Sequence, residues 1–276
     1  MFKSAGVKTL FMTPFCLWAG IFIFVPLLCM IWYGLTNDDE IFTPANLTLA
    51  FEPPYFKALL LSIGLALVST IICLLLAYPL CLILTDKARD LSTAVSLLFI
   101  LPLWMNSLLL TMAWQTILEK NGIINQVLRY FNLPDVALIN TPTAIIIGMV
   151  YNFLPYMVLP LYVSLSKIDK RIIEAARDLG ASYMQTFWKV ILPLSLPGAA
   201  GGMTMVFIPA LTTFVISALL GGGKLLLIGN VIEQEFIAGY NWHWGAGLSM
   251  VLMIFILINM AVTIFFDNSH EEVEEK

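Results

Sequence analysis

Charge is what this sequence has least of. Only 12% of its 276 residues are Asp, Glu, Lys or Arg, against 60% hydrophobic. Six stretches, Thr9–Asn37, Ala58–Thr85, Leu91–Leu118, Val136–Ser166, Val190–Gly223 and Trp244–Phe266, contain no charged residue at all. Proton-driven pumps and voltage sensors work through carboxylates or arginines inside the membrane, so this absence argues against both classes. Histidine is scarce too, with two in the chain. His243 stands alone in the aromatic cluster Trp242-His243-Trp244 and is expected to be structural rather than a ligand. The four cysteines, Cys16, Cys29, Cys73 and Cys81, all lie in apolar runs, without metal-ligand spacing. They imply no disulfide framework and are expected to act as small apolar packing residues. No Walker motif, HExxH, GxSxG or CxxC is present. Gly221-Gly222-Gly223-Lys224 lacks the earlier glycine and the following Ser/Thr of a phosphate loop, so it predicts a flexible turn. These absences exclude ATP hydrolysis and covalent chemistry as tasks of this chain.

What is present is hydrophobic length. A bilayer span needs about 20 apolar residues, and each of the six runs supplies that. The expectation is an all-α membrane protein with six transmembrane helices, forming a single domain over residues 1–276. The first run is too long for a signal-peptide core and is read as a retained span. Basic residues of short loops collect on the cytoplasmic side. With the N-terminus cytoplasmic, the inside holds Lys3, Lys8, Lys87, Arg89, Lys167, Lys170, Arg171, Arg177, Lys189 and Lys276, ten against the outer four, Lys57, Lys120, Arg129 and Lys224. Both termini are therefore expected in the cytoplasm.

Along the chain, the first span runs from about Pro14 to Leu35. The acidic loop after it, with Asp38, Asp39, Glu40 and Glu52, is expected to hold a short ordered piece. The second span covers about Leu59–Leu84, with Pro79 near its inner end. The third contains Pro102-Leu103-Trp104-Met105-Asn106-Ser107. A proline followed by polar side chains frees backbone groups, which is tolerated where they face protein or a water-filled route. Trp104, Asn106 and Ser107 are thus candidates for a translocation path, with helix–helix packing the alternative. Ile123, Ile124, Val127, Leu128 and Phe131 recur at helical spacing and predict a short outer helix. Thr141-Pro142 opens the fourth span. Its Pro155 and Pro160 predict irregularity, and Tyr151, Asn152 and Tyr156 join the path candidates. The fifth span passes through Pro209, Thr212, Thr213 and Phe214 to Leu220, with Phe214 a further candidate. Leu225–Tyr240 predicts a short amphipathic outer helix, and the tail 270–276 is expected to be disordered.

The organising stretch is Asp169–Pro193, DKRIIEAARDLGASYMQTFWKVILP. Asp169 is an N-cap for a first short helix that carries Ile172, Ile173, Ala176 and Leu179 on an apolar face. Gly180 sits where a left-handed stop is needed. Ser182 and Gln185 read as a capping box that opens a second helix. Pro193 should push Leu192 away from helical angles, closing a helix–glycine–helix hairpin between two spans. A short helix with an apolar face and a charged rim is suited to docking into a grooved partner, or to lying on lipid.

The pattern Glu174-Ala175-Ala176, three residues, Gly180, nine residues, Val190, one residue, Leu192-Pro193 resembles the EAA loop of the permease subunits of bacterial ABC importers. Val190 departs mildly from a position that is more often Ile. Beyond the hairpin, LPLWMNSLLL, EAARDLGASYMQTF, ALLGGGKLLLIGNVIEQEF and NWHWGAGLSM resemble the B-type permeases of spermidine/putrescine importers nearly end to end. The resemblance implies the type I importer permease fold in a bacterial inner membrane, with 169–193 forming the coupling helices. Glu174, Ala175, Ala176, Arg177, Asp178 and Gly180 would dock on an ATPase subunit dimer. The chain would hold no cofactor of its own, ATP and Mg belonging to that ATPase. The other implied partners are a second, C-type permease, an extracytoplasmic binding protein and the lipid bilayer, with no nucleic acid. The implied substrate is a polyamine. Iron, sulfate, molybdate and thiosulfate importers share the fold and the loop, and an ATPase-independent transporter or channel is the rival class. The outer loops carry eight acids (Asp38, Asp39, Glu40, Glu52, Glu119, Asp135, Glu233, Glu235) against four bases, a face that attracts polycations and repels sulfate or molybdate. Trp104, Tyr151, Tyr156 and Phe214 could hold ammonium groups by cation–π contact.

Overall fold

A computed structural model describes the backbone over residues 5–86 and 104–274, with side chains over 12–85 and 104–263. In chain order the helices are α1 (Ala5–Ala19), α2 (Val25–Gly34), α3 (Ala45–Thr48), α4 (Pro53–Asp86), α5 (Ser107–Leu118), α6 (Ile123–Tyr130) and α7 (Pro142–Lys167). There follow α8 (Lys170–Asp178), α9 (Tyr183–Thr186), α10 (Leu192–Thr212), α11 (Val215–Leu220), α12 (Ile228–Ile237) and α13 (Trp242–Glu274). π-helical turns at Gly20–Phe24 and Phe187–Ile191 join α1 to α2 and α9 to α10. No β-strand occurs among the described residues, apart from a single bridge pairing Thr36 with Phe42.

Among the described residues, five helical segments are long and apolar enough to cross a bilayer: Met12–Gly34, Pro53–Thr85, Pro142–Lys167, Tyr183–Thr212 and Trp242–Thr263. The third expected span falls partly outside the described residues, as does the predicted inner turn at 87–90. Its described end is the 12-residue α5. The tail expected to be disordered is helical to Glu274, in keeping with the high helix propensity of glutamate.

The chain divides into two compact units, Met1–Phe56 with Val231–Phe255, and Lys57–Asn230 with Ile256–Lys276. In the first unit the end of α2 packs on α13: a Cβ at Gly34 would lie 2.4 Å from Met250 Sδ. Buried Asn46 donates to the carbonyls of Thr36 (2.8 Å) and Gly34 (3.3 Å), which orders the start of the loop after α2. His243 is structural, its Nδ1 lying 2.9 Å from the Tyr33 carbonyl. Apart from Gly34 at its end, no residue of the Met12–Gly34 segment is buried, and Cys16 and Cys29 are exposed. The packing role expected of the cysteines therefore holds only for Cys73 and Cys81.

The second unit is built on α4, α7 and α10. Cys73, Ala77, Tyr78 and Cys81 of α4 meet Met157, Val158, Leu161 and Leu165 of α7 and Ala199 and Val206 of α10. Pro155 and Pro160 do not interrupt α7, which is one helix of 26 residues. Each proline removes one ladder bond, and close packing holds the flanking turns in place. That packing is tightest at Gly198 of α10, where a Cβ would lie 2.2 Å from Ser164 Cβ and 2.9 Å from the Pro160 carbonyl. The segment around α6 is tied by buried Asn125, which accepts from Val136 N (2.9 Å) and donates to Val136 O (3.1 Å). Arg129 clasps Asp135 through two bonds of 2.8 and 2.7 Å, and this hydrogen bonding holds the Asp135 carboxyl below its ordinary range.

Two glycines of α10 give a matched test. Gly198→Ala forces α7 and α10 apart, while Gly201 has open space around its Cβ position. Thermal unfolding in detergent is expected to show Gly198→Ala destabilised by about 1–3 kcal/mol, as overpacking does. Gly201→Ala is expected to be neutral or stabilised by about 0.5–1 kcal/mol, the helix preference for alanine.

Candidate functional site

The hairpin between α7 and α10 is assembled by local hydrogen bonds. Asp169 Oδ1 accepts from Arg171 N at 3.0 Å and starts α8. The helix ends in a complete Schellman turn: Ala181 N bonds Ala176 O (3.1 Å) and Gly180 N bonds Arg177 O (2.8 Å). Gly180 has a φ of +86°, a conformation that costs other residues about 1–2 kcal/mol. Ser182 N donates to Gln185 Oε1 (2.9 Å) and Gln185 N donates to Ser182 Oγ (3.3 Å), which forms the reciprocal cap of α9. The Arg177 guanidinium lies 6.0 Å from the centre of the Tyr183 ring and bridges the two helices.

The hairpin does not end at Leu192. Leu192 has φ −60° and ψ −50°, and its N–H bonds Phe187 O across the wider π turn. Pro193 has no N–H and its ring crowds the carbonyl four residues earlier. The π turn just before it changes the register there, so the helix continues where the sequence predicts a stop. Gly20–Phe24 does the same before Pro26. Tyr183–Thr212 is consequently one helical segment of 30 residues, running from the hairpin into the fifth apolar run.

One face of the hairpin is anchored. Ile168, Ile173 and Phe187 pack on the core cluster of the second unit. Tyr78 meets Phe187 edge to face at 5.4 Å between ring centres and hydrogen-bonds Ser195 of α10. The opposite face is open: Ile172, Leu179, Tyr183, Met184 and Trp188 are exposed, Leu179 to 89%. Glu174, Ala175, Arg177, Asp178 and Gly180 are exposed beside them, and Ala176 is half-buried. An apolar patch with a charged rim on a rigid base has the form of a docking surface.

The path candidates do not form one cluster. Trp104 is 86% exposed. Asn106 is also exposed, and its side chain caps α5 by accepting from Leu108 N at 2.8 Å, so the third run is broken there. Tyr151 packs edge to face on Trp114, which links α7 to α5. Asn152 is buried, and its amide donates to Gly148 O at 2.8 Å. Tyr156 is half-exposed beside Phe153. None of these, nor Phe214, lines the cavity of about 390 Å³ bounded by Thr70, Met203, Thr204, Phe207, Asn259 and Thr263.

A polar hub near Phe214 is the feature that sequence reasoning missed. The fifth run is not one helix: α10 stops at Thr212, Thr213 is extended (ψ 138°), and α11 begins at Val215. Asn230, 4% exposed, donates to Phe214 O at 2.9 Å and accepts from Ser217 Oγ and from Leu227 N (3.3 Å). Ile228 N donates to Ser62 Oγ of α4 at 2.8 Å. The first turn of α12 is buried, and the helix begins at Ile228 within the Leu225–Tyr240 stretch where the sequence predicts a short amphipathic outer helix. The sequence marks it only by one polar side chain, Asn230, two residues past the apolar Leu225–Ile228.

Residues 77–274 match the family described as "Binding-protein-dependent transport system inner membrane component". The spermidine/putrescine transport system permease protein PotB of Escherichia coli strain K12 is 41% identical over 86% of this chain and 89% of its own length. PotB of Haemophilus influenzae is 38% identical over 90% and 88%. A chain of a bacterial alginate ABC transporter, solved with an alginate-bound periplasmic protein, shares the fold at a TM-score of 0.79 and 16% identity, over 93% and 92% of the two chains. The chain is thus an ABC importer permease, a multi-pass membrane protein of the binding-protein-dependent transport system inner membrane component family.

Proposed function

We propose that this protein forms half of the translocation path of an ATP-driven importer for polyamines, spermidine and putrescine. The observation that carries this reading is the 41% identity to PotB across nearly the whole chain. The acid surplus of the outer loops supports it, because the Arg129–Asp135 pair removes one charge of each sign and leaves the surplus intact. Ions of one sign are concentrated at a face of the other, which favours a polycation over sulfate or molybdate.

In this proposal six helices span the inner membrane and both termini face the cytoplasm. A second, C-type permease completes the path. An extracytoplasmic binding protein delivers the polyamine, and an ATPase dimer binds ATP and Mg²⁺. The exposed face around Glu174, Arg177, Asp178, Leu179 and Gly180 docks into the ATPase. When the ATPase closes, the hairpin moves with it. Tyr78, Phe187 and Ile173 pass that motion to α4, α7 and α10, which alternate between outward and inward access. Trp104, Asn106, Tyr151, Asn152, Tyr156 and Phe214 remain the proposed path residues.

Three outcomes check this reading. Gly180→Pro removes both the positive φ and the N–H given to Arg177, and is expected to abolish ATP-driven uptake with membrane insertion intact. Gly180→Asn, which tolerates left-handed angles, should keep most of it. Glu174→Lys on the open face should lose uptake without loss of thermal stability; normal uptake would remove the coupling role. Vesicles holding the complete complex and its binding protein should accumulate labelled spermidine or putrescine, whereas accumulation of sulfate would place the chain in the sister group of importers.

A further inference from the structure

An uninterrupted helix is the default for a charge-free run such as Val190–Gly223, because in hydrocarbon each unpaired backbone group costs several kcal/mol. The break at Thr213–Phe214 therefore needs a cause. Sixteen residues on, Asn230 donates to the carbonyl of Phe214 at 2.9 Å. Its amide ties the far side of the break to the start of α12: Nδ2 bonds Phe214 O, which Ala218 N also bonds at 2.9 Å, and Oδ1 receives Ser217 Oγ and Leu227 N. Ser217 Oγ also lies 3.1 Å from Phe214 O. Gly229 makes the approach possible, since a Cβ there would stand 2.7 Å from Thr212 O and 2.9 Å from Thr213 O. The result is a buried, satisfied polar hub that joins the start of α11 to the turn before α12, beside the break.

We propose that Gly229 and Asn230 form a clamp that holds the break open and presents Phe214 as the closing residue of the translocation path, with Asn230 a positioning residue that does not touch the transported solute. The inference rests on the permease reading above. Irregular backbone at membrane depth persists where it is covered by protein or lines a water-filled route, and broken helices mark the transport sites of many transporters. Here the carbonyls of the break are covered by Gly229 and Asn230, while the Phe214 side chain is 41% exposed. Past the break, α11 packs on α5 and α7, the two helices that contribute Trp114 and Tyr151. Gly148 of α7 admits it closely: a Cβ there would lie 2.4 Å from Leu220 Cδ1 and 2.9 Å from Ile216 Cγ2. Without the clamp, helix re-forms through Thr213 and turns Phe214 out of position.

The test uses the assembled complex in liposomes, with two separate readouts. Passive efflux of trapped labelled putrescine without ATP reads the clamp; ATP-driven uptake reads the permease proposal. In Asn230→Ala and Phe214→Ala, passive efflux should rise about tenfold, the change produced by lowering a barrier by about 1.4 kcal/mol. Ser217→Ala should show a smaller rise. Thr204→Val, which removes the distant 2.9 Å Thr204–Thr263 hydroxyl pair, should show none. Wild-type efflux in Asn230→Ala overturns the clamp. Should Asn230→Ala fail to assemble, wild-type efflux in both Phe214→Ala and Ser217→Ala overturns it. A wild-type complex that accumulates no polyamine sinks the proposed function instead, and leaves the efflux comparison to stand alone.

Discussion

The seating of Phe187 on Tyr78, backed by the Tyr78–Ser195 hydrogen bond, is the contact on which the second unit depends. It joins α4, the π turn and α10 at the point where an exposed hairpin becomes a buried helix. Because Leu192 stays helical, no joint separates Ser182 from Thr212. At 1.5 Å per residue the segment Tyr183–Thr212 is about 45 Å long. An exposed apolar face stands at one end and the Asn230 hub at the other. In the proposed coupling, a push on Trp188 enters this helix directly and crosses no loop before α10.

The same constraint, that backbone polar groups have few partners away from water, accounts for the irregular features. Prolines 26 and 193 are each preceded by a π turn, and Pro155 and Pro160 are held by close packing. At the one true break in the fifth run, Asn230 and Ser217 bond the Phe214 carbonyl, and Ser62 caps the start of α12. Apolar composition makes the spans, but a handful of buried hydroxyls and amides decide where they are allowed to stop.

This explains what was legible in the sequence. The Asp169 cap, the Gly180 stop and the Ser182–Gln185 box rely on partners within five residues, so short-range pattern finds them. The acidic outer loops and the helical spacing of α6 are equally local. The continuation through Leu192 was not legible, because Pro193 alone favours a stop and only the π turn before it lets the helix run on. Nor was the break at Phe214, whose partner Asn230 lies beyond a triple glycine and a leucine run. The exposure of Cys16 and Cys29 depends on how little of the first span this chain itself covers. For the path candidates, composition shows which side chains are polar or aromatic. It does not show that Asn152 has turned its amide onto its own helix.

Coupling requires that the exposed hairpin be the seat of a separate ATPase. The direct measurement is disulfide crosslinking from Leu179→Cys, on the most open part of that face, to cysteines placed in the groove of the ATPase subunit within the intact complex. The expected result is a crosslink that forms in high yield and halts uptake until it is reduced. Absence of any crosslink to the ATPase from this position, in a complex that still imports, would contradict it.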